Sequence, residues 1–489
     1  MILQALATLP SSSANCRSDS FRLILWVWAV TVFSWVRLVG SHPQSARRPV
    51  DRSAACAQAA ERPSTHVECR KNTKRVQSGY YVRNAGLPQQ PEPAPSDPRP
   101  ETLEVEISEL VFQVLSQARN RELVPLGSAF PSPELFPLEV LSRSLSRAVR
   151  ELDPWRTVED LPPGSDRLRR QISLRYLAAG YNVSAEEIVV TNGAMEALNL
   201  CLEAVTSPGD LVAIEAPTFY AALQAVERLN LRAVEVATHP RTGVDIPSLA
   251  AVLERHPVKA CWFMTNFQNP LGSLMPDENK QALVTLLADR GIPLIEDDVY
   301  GELYFGLRKP LPAKAYDRQG LVLHCSSFSK DLAPGYRVGW AAAGKFATTV
   351  ARRKLMSSLA AAVPSQEGLA EYLQRGGYDR HLRQLRQALS RQQAIAARAV
   401  AKHFPAGTRL TRPEGGYFLW VELPATVDAL QLHRLALSHS ISVAPGHLFS
   451  ADRRFSNFLR LSYGHPDDKR VESAIRTVGA LAHSLIGKG

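Results

Sequence analysis

Ser326-Ser327-Phe328-Ser329-Lys330-Asp331-Leu332-Ala333-Pro334-Gly335-Tyr336-Arg337 follows an apolar run, Leu321–Cys325, that reads as a strand. A lysine where a strand runs into a loop can be held against the aldehyde of a cofactor. Partial burial and a nearby cation lower its pKa, so that the neutral amine can attack. The hydroxyls of Ser327 and Ser329, with the guanidinium of Arg337, suit a phosphate dianion, because arginine offers a planar fork for such oxygens. Lys330 alone would read as a solvated loop lysine; the pattern around it argues otherwise.

Working outward, short β-rich runs alternate with amphipathic helical stretches. Glu187–Thr191, Leu211–Glu215, Leu231–Val236, Lys259–Met264, Ile292–Glu296 and Leu321–Cys325 read as strands. Between most of them lie Met195–Val205, Phe219–Asn230, Ile246–Glu254 and Asp277–Arg290, which read as helices. Such alternation means βαβ units and a mostly parallel sheet. Helices are expected at 345–358, 367–375 and 378–403. A smaller α+β part follows, with strands at 416–423 and 458–462 and helices at 426–438 and 467–486. The fold class is α/β, and no internal repeat is visible.

Further candidate groups fall at the ends of these strands. Ile295-Glu296-Asp297-Asp298-Val299-Tyr300 places carboxylates at a C-terminal strand end, where parallel sheets bind ligands. Asp297 and Asp298 compete for that role. Thr191-Asn192-Gly193-Ala194-Met195 opens a helix, and the amides of Gly193, Ala194 and Met195 would cradle an anion. Pro217-Thr218-Phe219 supplies an aromatic ring. Asn266-Phe267-Gln268-Asn269-Pro270-Leu271-Gly272 is a turn after a strand. Phe458-Leu459-Arg460-Leu461-Ser462 buries an arginine in an apolar strand, which is costly unless it is paired.

Over roughly residues 101–489 the chain resembles the type I enzymes of the aspartate aminotransferase superfamily, which use pyridoxal 5′-phosphate (PLP). The resemblance rests on S-x-S-K-x(6)-R, met by Ser327, Lys330 and Arg337, and on the other stretches occurring in order. It implies that Lys330 holds PLP as a Schiff base, with Ser327, Ser329, Arg337, Gly193, Ala194 and Met195 around the phosphate. The family's D-x-x-Y spacing assigns Asp297 to the pyridine nitrogen and Tyr300 to the phenolate oxygen, to which Asn269 would donate. Phe219 would stack on the ring and Arg460 would grip the substrate α-carboxylate. Transamination between an amino acid and a 2-oxo acid is the activity implied, and a homodimer the assembly, with helices at 138–152 and 167–178 covering part of the interface. One departure is visible. Many aminotransferases give a tyrosine to the partner subunit's phosphate site before the first large-domain helix; here Val158–Gly164 has none, and Asp160 stands near that position.

The N-terminal region differs in kind. Residues 1–84 carry twelve Lys/Arg against four Asp/Glu, a net +8, which leaves +2 of the overall +10 for the rest. Arg75-Val76-Gln77-Ser78-Gly79-Tyr80-Tyr81-Val82-Arg83 resembles the wing of a GntR-type winged helix-turn-helix. Gly376-Gly377-Tyr378-Asp379-Arg380-His381-Leu382-Arg383 and Ala444–Ser450 are similar to the MocR branch of those regulators, in which an aminotransferase-like body follows a DNA-binding head. That resemblance implies a transcriptional regulator whose body senses an effector. Residues 1–72 show no helix-turn-helix pattern; their Arg, Ser, Ala and Pro content resembles an out-of-frame translation, and the frame is expected to be correct from about 72 onward. DNA binding is therefore expected only of an intact head. The expected organisation is 1–72 basic and poorly patterned, 73–84 a wing remnant, 85–100 a Pro-rich linker, and 101–489 the body. Within the body a large domain spans about 150–355, and a small one combines about 101–149 with 356–489.

The apolar run Leu23–Val36 is fourteen residues long. It would span about 21 Å as a helix, short of a hydrocarbon core of roughly 30 Å, and no membrane role is expected. The six cysteines show no C-x-x-C spacing, which speaks against a zinc site or a disulfide framework and for a reducing cytoplasm.

Overall fold

The computed structural model describes residues 73–74, 80–81, 90–99, 101–117, 122–466 and 468–486. Contacts divide the chain into Met1–Arg83 and Asn84–Gly489. In the first unit Thr73–Lys74 pairs antiparallel with Tyr80–Tyr81, Thr73 opposite Tyr81. The apolar run at 23–36 and the expected out-of-frame stretch lie outside the described residues. Among the described residues no helix is long and apolar enough to cross a membrane.

The second unit is built on a large sheet. Its strands are β1 (Thr102–Leu103), β2 (Ile188–Thr191), β3 (Leu211–Ala216), β4 (Arg232–His239), β5 (Val258–Phe263), β6 (Leu294–Asp297), β7 (Val322–Ser327) and β8 (Gly339–Ala342). They lie in the order β1-β4-β3-β5-β6-β7-β8-β2, with Gly243–Val244 appended to β4. β4, β3, β5, β6 and β7 are mutually parallel. β3, β6 and β7 are buried along their whole length; their N-terminal halves are apolar, as strands covered on both faces are, while Glu296, Asp297, His324, Ser326 and Ser327 are buried polar residues towards the C-terminal ends of β6 and β7.

β8 was not expected from the sequence. It runs antiparallel to both neighbours, between β7 and β2. Only small residues and one tryptophan form it, so no alternating pattern marks it. A Cβ at Gly339 would lie 2.5 Å from the Gly193 carbonyl carbon; this strand fits beside the Gly193 turn because it begins with glycine.

Of the helices, α1 (Leu138–Arg150) and α2 (Asp166–Ala178) each pack on α4 (Val363–Gln374), α3 (Ala194–Val205) leads out of the Gly193 turn, and α5 (Tyr378–His403) packs along Asp468–Ile486. A second, antiparallel sheet holds β9 (Arg409–Leu410), β10 (Phe418–Glu422), β11 (Ala444–Pro445) and β12 (Phe458–Ser462), ordered β9-β10-β12-β11.

Two placements differ from expectation. Thr102–Leu103 pairs with β4 of the large sheet, although 101–149 was expected in the smaller part. The Pro-rich stretch is not a free spacer where it is described. Leu410 N donates to Pro91 O (2.8 Å) and Arg412 to Gln90 O (2.7 Å). Ser96 N donates to Thr238 O (3.1 Å), the Thr238 amide returns a bond to Ser96 Oγ (2.8 Å), and Glu92 is ion-paired with Arg241.

Candidate active site

The C-terminal ends of β6 and β7 and the start of α3 converge on a cavity of about 90 Å³. Ala194, Met195, Phe219, Asp297, Tyr300, Ser327, Ser329, Lys330 and Arg337 line it. Gly193 caps α3 beside it, with φ of 87°. A Cβ there would sit 2.9 Å from Arg337 Cζ, so glycine is what lets the guanidinium lie against the helix start. Arg337 itself is left-handed, φ 53°; it donates from Nη1 to Ser329 Oγ (3.2 Å) and from Nη2 to Asn192 O (3.2 Å). The Ser329 amide donates to Ser327 Oγ (3.3 Å). Hydroxyls, a guanidinium and the first amides of a helix thus face one corner, a set of donors for an anion.

Opposite that corner lies Asp297, fully buried at the end of β6. Neither carboxylate oxygen has a hydrogen-bond partner of ordinary geometry. Burial and the adjacent Asp298 raise its pKa to about 7, while Lys330 and the nearby Val299 amide temper the rise. Asp298 faces away: it accepts from Asn266 Nδ2 (3.1 Å) and His324 Nε2 (3.1 Å). Of the two carboxylates between which the sequence left a choice, Asp297 lines the cavity and Asp298 does not.

Lys330 Nζ donates to Ala129 O (2.8 Å) and lies 3.6 Å from the centroid of the Phe130 ring. Burial, then Arg460 and Arg337, lower its pKa to about 7 against the pull of Asp297. Tyr300 is buried, which raises its pKa. Arg460 is inaccessible; its Nη1 donates to Asn269 Oδ1 (3.0 Å) and its Nη2 to Gly127 O (2.8 Å). Arg460 Nε and Asn269 Nδ2 have no partner. Asp160 does not line the cavity; it accepts from Gln366 Nε2 (2.7 Å).

Sequence reasoning missed the stretch Gly127–Phe130, which supplies two carbonyls and a ring to the site. It is irregular, so no period could mark it. Its one signal is Gly127, where a Cβ would lie 2.8 Å from the Val443 carbonyl carbon.

The family described as aminotransferase class I and II matches residues 161–478. The chain belongs to that family. Among the relatives of this class I and II aminotransferase chain is an uncharacterized HTH-type transcriptional regulator, YdcR of Escherichia coli K12. The two are 47% identical over 407 residues, 83% of this chain and 86% of that one. Two solved structures share the fold. The multiple substrate aminotransferase of Thermococcus profundus has a TM-score of 0.73 at 25% identity, covering 78% of this chain and 96% of that one. The α-aminoadipate aminotransferase LysN of Thermus thermophilus, complexed with N-(5′-phosphopyridoxyl)-L-leucine, has a TM-score of 0.70 at 29% identity, covering 78% and 99%. The expected α/β aminotransferase fold is therefore present, and the regulator resemblance is matched by the named relative.

Proposed function

We propose that the cavity takes PLP, bound covalently through Lys330, and that the protein moves an amino group between an amino acid and a 2-oxo acid. One observation carries this reading: a buried carboxylate with two unpartnered oxygens and a half-buried lysine of lowered pKa line the same cavity. A carboxylate in that state calls for a cationic or N–H partner, and a pyridinium nitrogen is one. The Gly193–Arg337 corner, with Ser327, Ser329 and the amides of Ala194 and Met195, fits the phosphate. When bound, PLP supplies an electron sink for the bond broken at the substrate α-carbon.

The chain's own residues divide the remaining work. Asp297 keeps a proton on the ring nitrogen. Lys330, with a pKa near neutrality, is suited both to covalent attachment and to carrying a proton. Tyr300 and Asn269 Nδ2 serve the phenolate oxygen, and Phe219 offers its ring to one face. Arg460, already bonded to Asn269, is placed for an α-carboxylate. Lys330→Ala tests the reading: borohydride should fix PLP to the native protein and leave none on the variant. A covalent adduct persisting in Lys330→Ala means that another amine is used.

A second reading is favoured by the YdcR relationship across most of the chain and by the docked stretch 90–99. In it the same site senses PLP or an amino acid and governs a DNA-binding head. Steady turnover of amino donors supports the enzyme. A saturable spectral response without turnover, together with specific binding to the upstream promoter, supports the regulator. In either reading the body is a cytoplasmic homodimer.

A further inference from the structure

Lys330 and its neighbour Asp331 serve two different cavities. They sit in a tight turn closed by Leu332 N and Ala333 N, which both donate to Phe328 O (3.1 and 2.7 Å). Lys330 lines the site cavity. Asp331 lines a separate space of about 30 Å³, together with Tyr176, Asp298, Glu302, His324 and Tyr378. Its Oδ2 accepts from Tyr378 Oη (2.6 Å), and its carbonyl accepts from His381 Nε2 (2.6 Å). Both partners stand in the first turn of α5. That turn is fixed in its own right: Asp379 accepts from Arg175 (2.7 Å), whose guanidinium lies 4.6 Å from the Tyr378 ring centroid. The stretch Gly376–Arg383 therefore has a local task that no role in the site has absorbed.

We propose that Asp331, gripped by Tyr378 and His381, is a positioning residue that sets the rotation of the turn and so aims Lys330 into the site. Two bonds to one residue, one on its side chain and one on the carbonyl of the Asp331–Leu332 peptide, fix Asp331 immediately after Lys330. Rotation of the turn breaks both. A buried carboxyl is also a poor choice for packing alone, since an apolar side chain would fill the position without desolvating a polar group. Burial and then the Glu302 carboxylate raise its pKa to about 7, against Tyr378, Arg175 and Lys309. The space is large enough to admit a water, and Asp331 Oδ1 has no hydrogen-bond partner. The inference rests on Lys330 being the covalent anchor.

The test uses the full chain and the variants Asp331→Ala, Asp331→Asn, Tyr378→Phe and His381→Ala. Two rates are measured: borohydride-trapped PLP incorporation, and acylation of Lys330 in the PLP-free protein across pH, read by peptide mass spectrometry. Asp331→Ala and Tyr378→Phe should slow incorporation by about tenfold to a hundredfold, the usual consequence of misplacing a reacting group, and should displace the pH profile of Lys330. Asp331→Asn, which keeps an acceptor for Tyr378, should recover most of the rate. A structural role alone would lower the melting temperature and leave the pH profile where it was; that result overturns the proposal. If Asp331→Ala does not fold, Tyr378→Phe decides by the same two rates. Failure of the wild type to trap PLP would count against Lys330 as the anchor, while the acylation profile still judges Asp331 on its own.

Discussion

Gly193 has a φ that L side chains rarely adopt, and its α-hydrogen faces the Arg337 guanidinium. Gly193→Ala is therefore expected to push Arg337 out of the anion corner while leaving β2 and α3 intact. A charge-assisted contact to phosphate is worth about 1.5–3 kcal/mol, so PLP affinity should fall roughly tenfold to a hundredfold. Arg337→Ala should do the same, and the double variant should be little worse than either, because both remove one contact. Equilibrium dialysis reads all three. The carboxylates give a second contrast. Asp297→Asn should impair proton abstraction from the substrate while PLP stays bound, and Asp298→Asn should act more mildly, since Asp298 is occupied by Asn266 and His324. The pKa shifts also predict a pH dependence of stability for the PLP-free protein. Asp297 and Asp331 are raised to about 7 in the fold, from about 4 in the unfolded chain. Between those values the folded state binds more protons, so their contribution to stability falls as pH rises from about 4 to 7. Lys330 acts in the next window: its amine loses its proton near 7 in the fold and near 10.4 when unfolded, so stability rises with pH from about 7 to 10. Denaturation midpoints against pH should show a shallow minimum near neutrality, less marked in Asp297→Asn and in Lys330→Ala.

At the level of elements, regular pattern was legible and irregular pattern was not. Leu211–Glu215 and Leu321–Cys325 read as strands because full burial makes them continuous apolar runs, and the observed β3 and β7 start within a residue of them. α5 was readable to both ends because its apolar stripe persists through 378–403. β8 escaped since four small or half-buried residues carry no period, and Gly127–Phe130 escaped since it is irregular backbone held by tertiary contacts. The Pro-rich stretch was readable as extended, but not as docked: its anchors are backbone carbonyls and single side chains, which composition does not reveal. That docking has a mechanical consequence. Pro91 is tied to β9 of the second sheet and Ser96 to β4 of the large sheet. Five residues of extended chain at about 3.1 Å each reach only roughly 16 Å. Separation of the two sheets beyond that length breaks an anchor. Replacing Glu92 and Ser96 by alanine together should release the stretch, and limited proteolysis should then cut within 84–100 several times faster than in the native protein, with the body left whole. Unchanged cutting would mean that the remaining bonds, from Leu410 N to Pro91 O, Ser96 N to Thr238 O and Arg412 to Gln90 O, hold the stretch without those two side chains.

For the whole molecule, the distribution of exposed apolar side chains is uneven. Leu138, Val149, Leu174 and Leu177 stand out from α1 and α2, and Trp155, Val158 and Leu161 from the segment between them. Trp155 is 69% and Leu177 60% exposed, although α1 and α2 are otherwise packed on α4. Met356 at 73% and Leu359 at 57% add to them after β8. Large apolar residues gathered on neighbouring elements mark an association surface, and a closed two-fold pair is the commonest way to cover one. These are the helices from which the sequence led us to expect an interface. The body is therefore expected to dimerise through them without help from residues 1–83. A truncation beginning at Asn84 is the proper test, because residues 90–99 pack on the body and a cut at 100 would remove them. Light scattering should give a dimer for that truncation. Trp155→Asp combined with Leu177→Asp should give a monomer of native secondary structure, since two buried carboxylates without partners would oppose association by several kcal/mol. A truncated protein that is monomeric before any substitution, yet binds PLP as tightly as the full chain, would place the site within one subunit and leave this surface to some other partner.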